Sequence, residues 1–409
     1  MLSDLTVYTK YARYVPELQR RETWNEIVTR NKAMHQDKFP HLHEDIEQAY
    51  QHVYAKRLLP SMRSLQFGGP AVAANNVRMF NCSFVPIHDG DVFGELMFLL
   101  MSGTGVGFSV QRHHIAQLPR LLQPSPQGMR LYQIPDSLEG WAQATHELMR
   151  TYLPADGNPQ PRVVFDYSLI RPRGSPLITA GGRAPGPEPL QEALEAVERL
   201  LQSVASDRLS ALQAHDIICH LATAVASGGV RRSALISLFS VDDEAMIQCK
   251  AGEWFLDNNQ RAMANNSAVL DRSAITEAQF RELWAMVEAS GSGEPGVYFS
   301  NDRDWGTNPC CEVALEPYQF CNLTEINASV ARSQQDLNEL SRAAALLGTL
   351  QASYTDFHFL RPQWRQVTEA AALLGVSMTG TGYVGCAAPF ESSHAFSLLC
   401  LQALPAALS

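Results

Sequence analysis

The reactive groups of this chain gather between Thr307 and Asn322, in the run T-N-P-C-C-E-V-A-L-E-P-Y-Q-F-C-N. Consecutive residues supply an amide (Asn308), a rigid turn former (Pro309), two thiols (Cys310 and Cys311) and a carboxylate (Glu312), and a third thiol, Cys321, follows an apolar segment. Thiols beside a carboxylate offer redox and acid–base chemistry. The same residues also fit blander roles, because a cysteine is often a small buried hydrophobe and an N-P-C turn can be a zinc knuckle or an ordinary loop. Zinc is the weaker of these, since the chain has no C-x-x-C pair and no second ligand cluster at zinc spacing, so no metal ligands are expected. Proline fixes φ at 309 and biases Asn308 towards extended backbone, which predicts a loop tip able to carry Cys310 into a pocket.

Several classes are excluded by composition. With 45% hydrophobic and 18% charged residues, the 409-residue chain can bury a large core. It holds no run of about 18 apolar residues and no secretory leader pattern, so a cytoplasmic protein without a membrane partner is expected. Eight irregularly spaced cysteines do not make a disulfide scaffold. A net charge of -10, from 32 basic and 42 acidic residues, argues against direct nucleic-acid binding. A small polyanion remains compatible, held by backbone amides and local arginines.

The positioning elements follow from pattern. Residues 1–57 read as a helical leader, with Trp24, Ile27, Val28, Ile46, Ala49 and Val53 at helical spacing. A short buried strand is predicted from Cys82, and a buried helix over 91–101 that runs into G-T-G-V-G at 103–107. These glycines allow either close backbone approach to a ligand or a tight helix-to-strand turn, and the turn is the simpler reading. A helix over 134–152 capped by Asp136 or Ser137, a strand at 163–166 and helices over 187–204 and 213–227 complete an α/β alternation. Gly228–Arg232 is a glycine pair followed by two arginines, read as a solvated turn or a phosphate-contacting loop.

Taken in order, L-P-S-M-R, N-C-S-F, G-T-G-V-G-F-S-V, I-P-D-S-L-E-G-W, R-P-R-G-S-P with G-G-R-A-P-G-P-E-P-L, G-G-V-R-R-S-A, N-N-S-A-V, E-P-G-V, N-P-C-C-E and C-N-L resemble the ribonucleotide reductase catalytic chain. The match is best to the small adenosylcobalamin-dependent class II ribonucleoside-triphosphate reductases, over roughly residues 5 to 380. The resemblance implies a ten-stranded α/β barrel over 58–380 with a central finger loop carrying Cys310. On this resemblance Cys310 becomes a thiyl radical that abstracts the ribose 3'-hydrogen. Cys82 and Cys321 supply two electrons and end as a disulfide, Glu312 is general base on the 3'-hydroxyl, and Asn308 binds substrate. Ser61 and Ser83 are placed near the substrate phosphates, with Gly103, Thr104 and Gly105 under the nucleotide. Gly229, Val230, Arg231 and Arg232 match the loop that links a deoxynucleotide allosteric effector to substrate choice. The implied cofactor is adenosylcobalamin, the implied reductant is thioredoxin-like, and the implied assembly is a homodimer.

Two departures stand out. Cys311 occupies a position that is usually glycine in the family. From about Thr381 to residue 409 nothing matches, so the last barrel strands, the P-S-G-T phosphate loop and the C-terminal cysteine pair are expected to be missing. That would leave the barrel open beside Val376–Met378 and Cys310 exposed. Two alternatives accompany this reading: the same reaction with a ferritin-like radical-generating subunit, and an inactive nucleotide-binding fragment.

Overall fold

The computed structural model describes residues 2–177, 183–227 and 234–381. Gly229, Val230, Arg231 and Arg232, and the tail from 382 onward, lie outside the described residues. Internal contacts divide the chain into two compact units, one built from residues up to Asn81 and from Phe320 onward, the other running from Cys82 to Gln319. The leader is therefore part of a larger unit whose boundary falls after Asn81.

After a short helix (Leu2–Thr6) and a small strand pair (Tyr14–Val15 with Arg20–Arg21), the first unit carries helices α1 (Trp24–Lys38) and α2 (His43–Tyr54), a short strand β1 (Leu58–Leu59) and helix α3 (Met62–Phe67). Helix α1 begins at a capping box: the Thr23 hydroxyl accepts from the Glu26 amide at 3.3 Å, and the Glu26 carboxylate accepts from the Thr23 amide at 2.7 Å. On α2 the helical spacing of Ile46, Ala49, Tyr50 and Val53 makes one buried face.

The second unit is built on five parallel strands. Its elements are β2 (Cys82–Pro86), α4 (Val92–Ser102), β3 (Gly105–Ser109), α5 (Arg112–Ile115), β4 (Ser125–Gln133), α6 (Leu138–Tyr152), β5 (Pro161–Asp166), α7 (Glu188–Ser203), α8 (Ala211–Ser227), β6 (Leu235–Ser240), β7 (Ala264–Asp271), α9 (Glu277–Ser290), β8 (Gly296–Ser300) and a small hairpin of β9 (Gly306–Thr307) with β10 (Ala314–Leu315). The sheet order is β8-β7-β6-β3-β2. Strand β6, L-I-S-L-F-S, is buried along nearly its whole length, the pattern of a parallel strand covered on both faces. Helix α4 is apolar but for Glu95 and Ser102 and buried throughout save Met101, and it packs against α6 and α8. Helix α6 starts one residue after Ser137, whose hydroxyl accepts from the Gly140 amide at 3.0 Å. Asp136, the other candidate cap, is instead paired with Arg171 at 2.7 Å.

The chain then returns to the first unit with β11 (Leu323–Asn327), α10 (Gln334–Ala352), α11 (Pro362–Ala371) and β12 (Gly375–Thr379). Here β11 lies between β12, parallel to it, and β1, antiparallel. Leu340, Ala344 and Leu347 of α10 share one core with Val28, Ile46, Tyr50, Val53 and Leu58. Among the described residues β12 has a strand on one side only. The two larger described sheets hold five and three strands, three further pairs of strands accompany them, and the whole is a mixed α/β fold. No described helix is long and apolar enough to cross a membrane.

Two predictions follow from the seam between α4 and α6. A Cβ on Gly94 would lie 1.6 Å from the buried His146 ring, so Gly94→Ala should lower stability by about 1–3 kcal/mol in chemical unfolding; an unchanged midpoint would contradict this packing. At the start of α4, His146 and Arg150 stand 3.3 and 3.2 Å from the Asp91 carboxylate and hold its pKa down to about 2. A carboxyl whose folded pKa is depressed stabilises the fold above its unfolded value and loses that contribution as pH falls through the folded value. Asp91→Asn should therefore weaken the protein at neutral pH, by less than about 1 kcal/mol because the carboxylate is partly solvated. The gap from the parent should close between about pH 4 and about pH 2; a gap that persists in acid would remove Asp91 from the account.

Candidate active site

The N-P-C-C-E segment is the tip of the β9–β10 hairpin, whose register pairs Gly306 with Leu315 and Thr307 with Ala314. Asn308 closes the tip. Its backbone amide donates to the Val313 carbonyl at 3.3 Å, its carbonyl accepts from the Cys311 amide at 2.9 Å, and its Oδ1 accepts from the Val313 amide at 3.1 Å. The Thr307 hydroxyl adds a bond to the Val313 carbonyl at 3.0 Å, and the Tyr298 hydroxyl donates to the Gly306 carbonyl at 2.9 Å. Asn308 and Pro309 are buried, whereas Cys310, Cys311 and Glu312 are exposed. The loop is thus anchored through its backbone and presents two thiols and a carboxylate outward.

The floor of this loop is the glycine run. Gly103 ends α4 in the left-handed region at φ 94, which is the helix-to-strand turn. Gly105 and Gly107 do something else. A Cβ on Gly105 would sit 3.1 Å from the Pro309 ring, and one on Gly107 would sit 1.8 Å from the Thr307 carbonyl oxygen. The close backbone approach read from these glycines is therefore made to the finger hairpin itself. Thr104, between them, is buried. On the hairpin side Gly306 lies against the Phe84 ring, 2.0 Å from where its Cβ would be.

Strand alternation sorts the neighbouring residues. Cys82, Phe84, Gly105 and Gly107 share the face turned to the hairpin, since Cys82 pairs with Gly105 and Phe84 with Gly107. The Asn308 amide nitrogen stands 3.8 Å from the buried Cys82 sulfur. Ser83, one residue on, falls on the opposite face with a buried hydroxyl that has no hydrogen-bond partner among the described residues. It is not brought to the side occupied by Cys82 and Asn308, because a period of two separates adjacent strand residues.

Ser61 and Cys321 belong to the first unit. The Ser61 hydroxyl caps α3, accepting from the Ser64 amide at 3.3 Å and donating to the Met79 carbonyl at 2.9 Å. Cys321 is buried just ahead of β11. Its backbone is set by Asn322, whose amide donates to the Gly348 and Leu373 carbonyls at 2.7 and 3.0 Å and accepts from Gln351 at 2.8 Å. Gln351 also accepts from the Ser61 amide at 2.8 Å. Gln351 and Thr307 were not singled out from sequence. The asparagine of C-N-L was in view, but nothing in a single sequence tells a buried, fully bonded amide from a solvated one.

Comparison with known proteins gives a consistent result. Residues 116–201 match the family model described as B12-dependent ribonucleotide reductase, insertion domain. The chain is 29% identical to the adenosylcobalamin-dependent ribonucleoside-triphosphate reductase of Lactobacillus leichmannii, over 93% of this chain and 61% of that protein. It is 27% identical to the enzyme of the same description from Levilactobacillus brevis, with the same coverage. A crystal structure of a B12-dependent (class II) ribonucleotide reductase superimposes with a TM-score of 0.79 at 26% identity, covering 92% of this chain and 62% of that one. An Actinobacillus ureae class Id ribonucleotide reductase alpha subunit, at 12% identity and TM-score 0.52 over 98% of this chain and 66% of that one, shares the fold. The chain thus spans about three fifths of the length of the curated relatives it matches.

Cys311 has φ 66, a left-handed conformation that costs a residue with a Cβ about 1 kcal/mol, which supplies a reason for glycine at this position. Burial, then the nearby Glu312 carboxylate, raise the pKa of its thiol. Cys311→Gly should leave the hairpin in place and raise stability by about 0.5–1 kcal/mol. A variant less stable than the parent in equilibrium unfolding would show that the Cys311 side chain itself holds the tip.

Proposed function

We propose that this chain is a B12-dependent ribonucleotide reductase chain and that it carries the catalytic hairpin for reducing ribonucleoside triphosphates to 2'-deoxyribonucleotides. The observation that supports the reading is a loop anchored by buried Asn308 and Pro309 that holds Cys310 outward beside a carboxylate, with the Asn308 amide nitrogen 3.8 Å from the Cys82 sulfur. In the proposed reaction a thiyl radical on Cys310 takes the 3'-hydrogen of the ribose and returns a hydrogen at the end. Glu312, two residues away, accepts the proton of the 3'-hydroxyl, within the reach that general-base work needs. The 2'-hydroxyl leaves as water, and the Cys82 and Cys321 thiols supply two electrons and two hydrogens and close as a disulfide. A thioredoxin-like protein would then reduce that disulfide. Asn308 holds Cys82 and the loop in register; its remaining amide hydrogen is the one available to substrate.

Adenosylcobalamin fits this donor set. The Cys310 thiol is exposed on a loop whose flanking residues are fixed, so a bulky group can abut the sulfur without moving the backbone. When bound, that cofactor supplies the homolytic chemistry that removes the thiol hydrogen. The described loop positions the sulfur, and its proline and buried amide keep the backbone from following the departing hydrogen. Of the sequence-predicted substrate contacts, Gly105 lies beneath Pro309 of the hairpin, Gly103 and Thr104 are kept as proposed nucleotide contacts, and Ser61 is proposed as a phosphate contact only through its backbone environment, since its hydroxyl is already bonded. A deoxynucleotide effector at 229–232 and a homodimer complete the proposal.

Cys310→Ala should abolish deoxynucleotide formation from each ribonucleoside triphosphate in the presence of adenosylcobalamin and a dithiol, while thermal unfolding stays within a few degrees of the parent's. Product above background in the purified variant would sink the assignment. In single-turnover samples without external reductant, peptide mapping should recover Cys82 linked to Cys321.

A further inference from the structure

Outside the thiol loop, the second unit brings together a different set of ligating groups. Helix α5 opens R-H-H, and Asp304 lies in the turn between β8 and β9. His113 Nε2 stands 2.9 Å from Asp304 Oδ1, and His114 Nε2 stands 3.6 Å from the same oxygen. One donor atom from each of the three residues lies within 4.8 Å of the others. We propose that His113, His114 and Asp304 form a binding site for a late first-row divalent cation such as Zn²⁺, which clips the base of the finger hairpin to α5.

The spacing supports an ion. Two nitrogen or oxygen ligands held about 2.0–2.1 Å from one tetrahedral centre are roughly 3.3 Å apart, and the observed 2.9 and 3.6 Å fall on either side of that value. The ring orientation supports it too. His114 is buried, and its Nδ1 lies 2.9 Å from the Ser109 hydroxyl. A metal on Nε2 takes the tautomer with Nδ1–H towards this hydroxyl, the kind of outer partner that metal-binding histidines ordinarily have. Ser109 is itself fixed by the Gln111 side-chain amide at 3.1 Å, and Gln111 also donates to the Arg303 carbonyl at 2.9 Å. The Asp304 backbone amide is held by the Asp302 carboxylate at 2.9 Å. Two imidazoles and one carboxylate suit zinc, copper, nickel or ferrous iron over magnesium or calcium. Three protein ligands leave room for water. Nearby positive charge is weakly placed: Arg112 is engaged by the Asp242 carbonyl at 2.7 Å, and Arg303 Nε stands 3.9 Å from Asp304 Oδ1 on a mostly solvated side chain, an exposed ion pair that a bound cation displaces at little cost.

The position gives the ion a task. Asp304 stands two residues before the start of β9 at Gly306, and α5 ends just before residue 116, where the match to the insertion domain begins. A bound cation would tie the approach to the Cys310 hairpin to the segment leading into that insertion. The sequence reading missed the site because its ligands are nearly 190 positions apart and follow no zinc spacing.

The test is titration of the chelator-stripped 409-residue protein with Zn²⁺ by calorimetry and with Co²⁺ by visible absorption. The set comprises the parent, His113→Ala, Asp304→Asn and a Cys310→Ser/Cys311→Ser double variant, the last because those exposed thiols are a competing soft-ligand pair. One ion per chain is expected, bound about tenfold or more weakly in the His113 and Asp304 variants and unchanged in the double variant, with Co²⁺ bands that lack thiolate charge transfer. Asp304→Asn is isosteric at an exposed position, so its loss of binding reports ligation and not unfolding. Full affinity in both ligand variants, loss of binding in the double cysteine variant, or no binding up to millimolar metal would overturn the proposal.

Discussion

The second unit depends on one contact between backbones: the carbonyl of Thr307 lies where any side chain at 107 would have to be. A hairpin can cross the face of a parallel sheet at this distance only over a residue without a Cβ, and Gly105 repeats the condition beneath Pro309. The geometry of Cys310 is inherited from that crossing. The tip itself is held by Asn308, which satisfies the Val313 amide and approaches Cys82.

Much of this was legible in sequence, and the legible part has a common cause. Helix α4 is apolar but for Glu95 and Ser102, and the cap at Ser137 is a local signal, so composition and capping suffice to place them. The hairpin tip was readable from proline and asparagine for the same reason. The order of short motifs carried the family. What sequence could not say is which partner a glycine makes room for: G-T-G-V-G has the same composition whether it faces a nucleotide or a strand of its own chain. Strand parity was also underused, since counting from Cys82 already sets Ser83 on the other face.

Long-range polar bonding was the least legible part. Asn322 bridges Gly348, Leu373 and Gln351, and Asn31 accepts from the Tyr50 hydroxyl at 2.5 Å while donating to the Ser64 carbonyl at 2.8 Å. Both of these buried amides are paired through oxygen and nitrogen, because an unmatched one costs about 1–3 kcal/mol. Such matches join residues tens to hundreds of positions apart and leave no periodic trace. The same holds for His113, His114 and Asp304, where two adjacent histidines look like a solvated turn until the fold delivers the carboxylate.

The central claim, that the glycine floor holds the finger hairpin in place, is tested most directly by amide hydrogen exchange at Asn308 and Val313 in the parent and in Gly107→Ala. The account predicts slow exchange at both amides in the parent and exchange faster by about tenfold or more in the variant, the effect of about 1–3 kcal/mol of overpacking, while amides within β6 keep their protection. Unchanged protection at Asn308 and Val313 in a folded Gly107→Ala protein would contradict it, for the hairpin would then be held by something other than the absence of a side chain at 107.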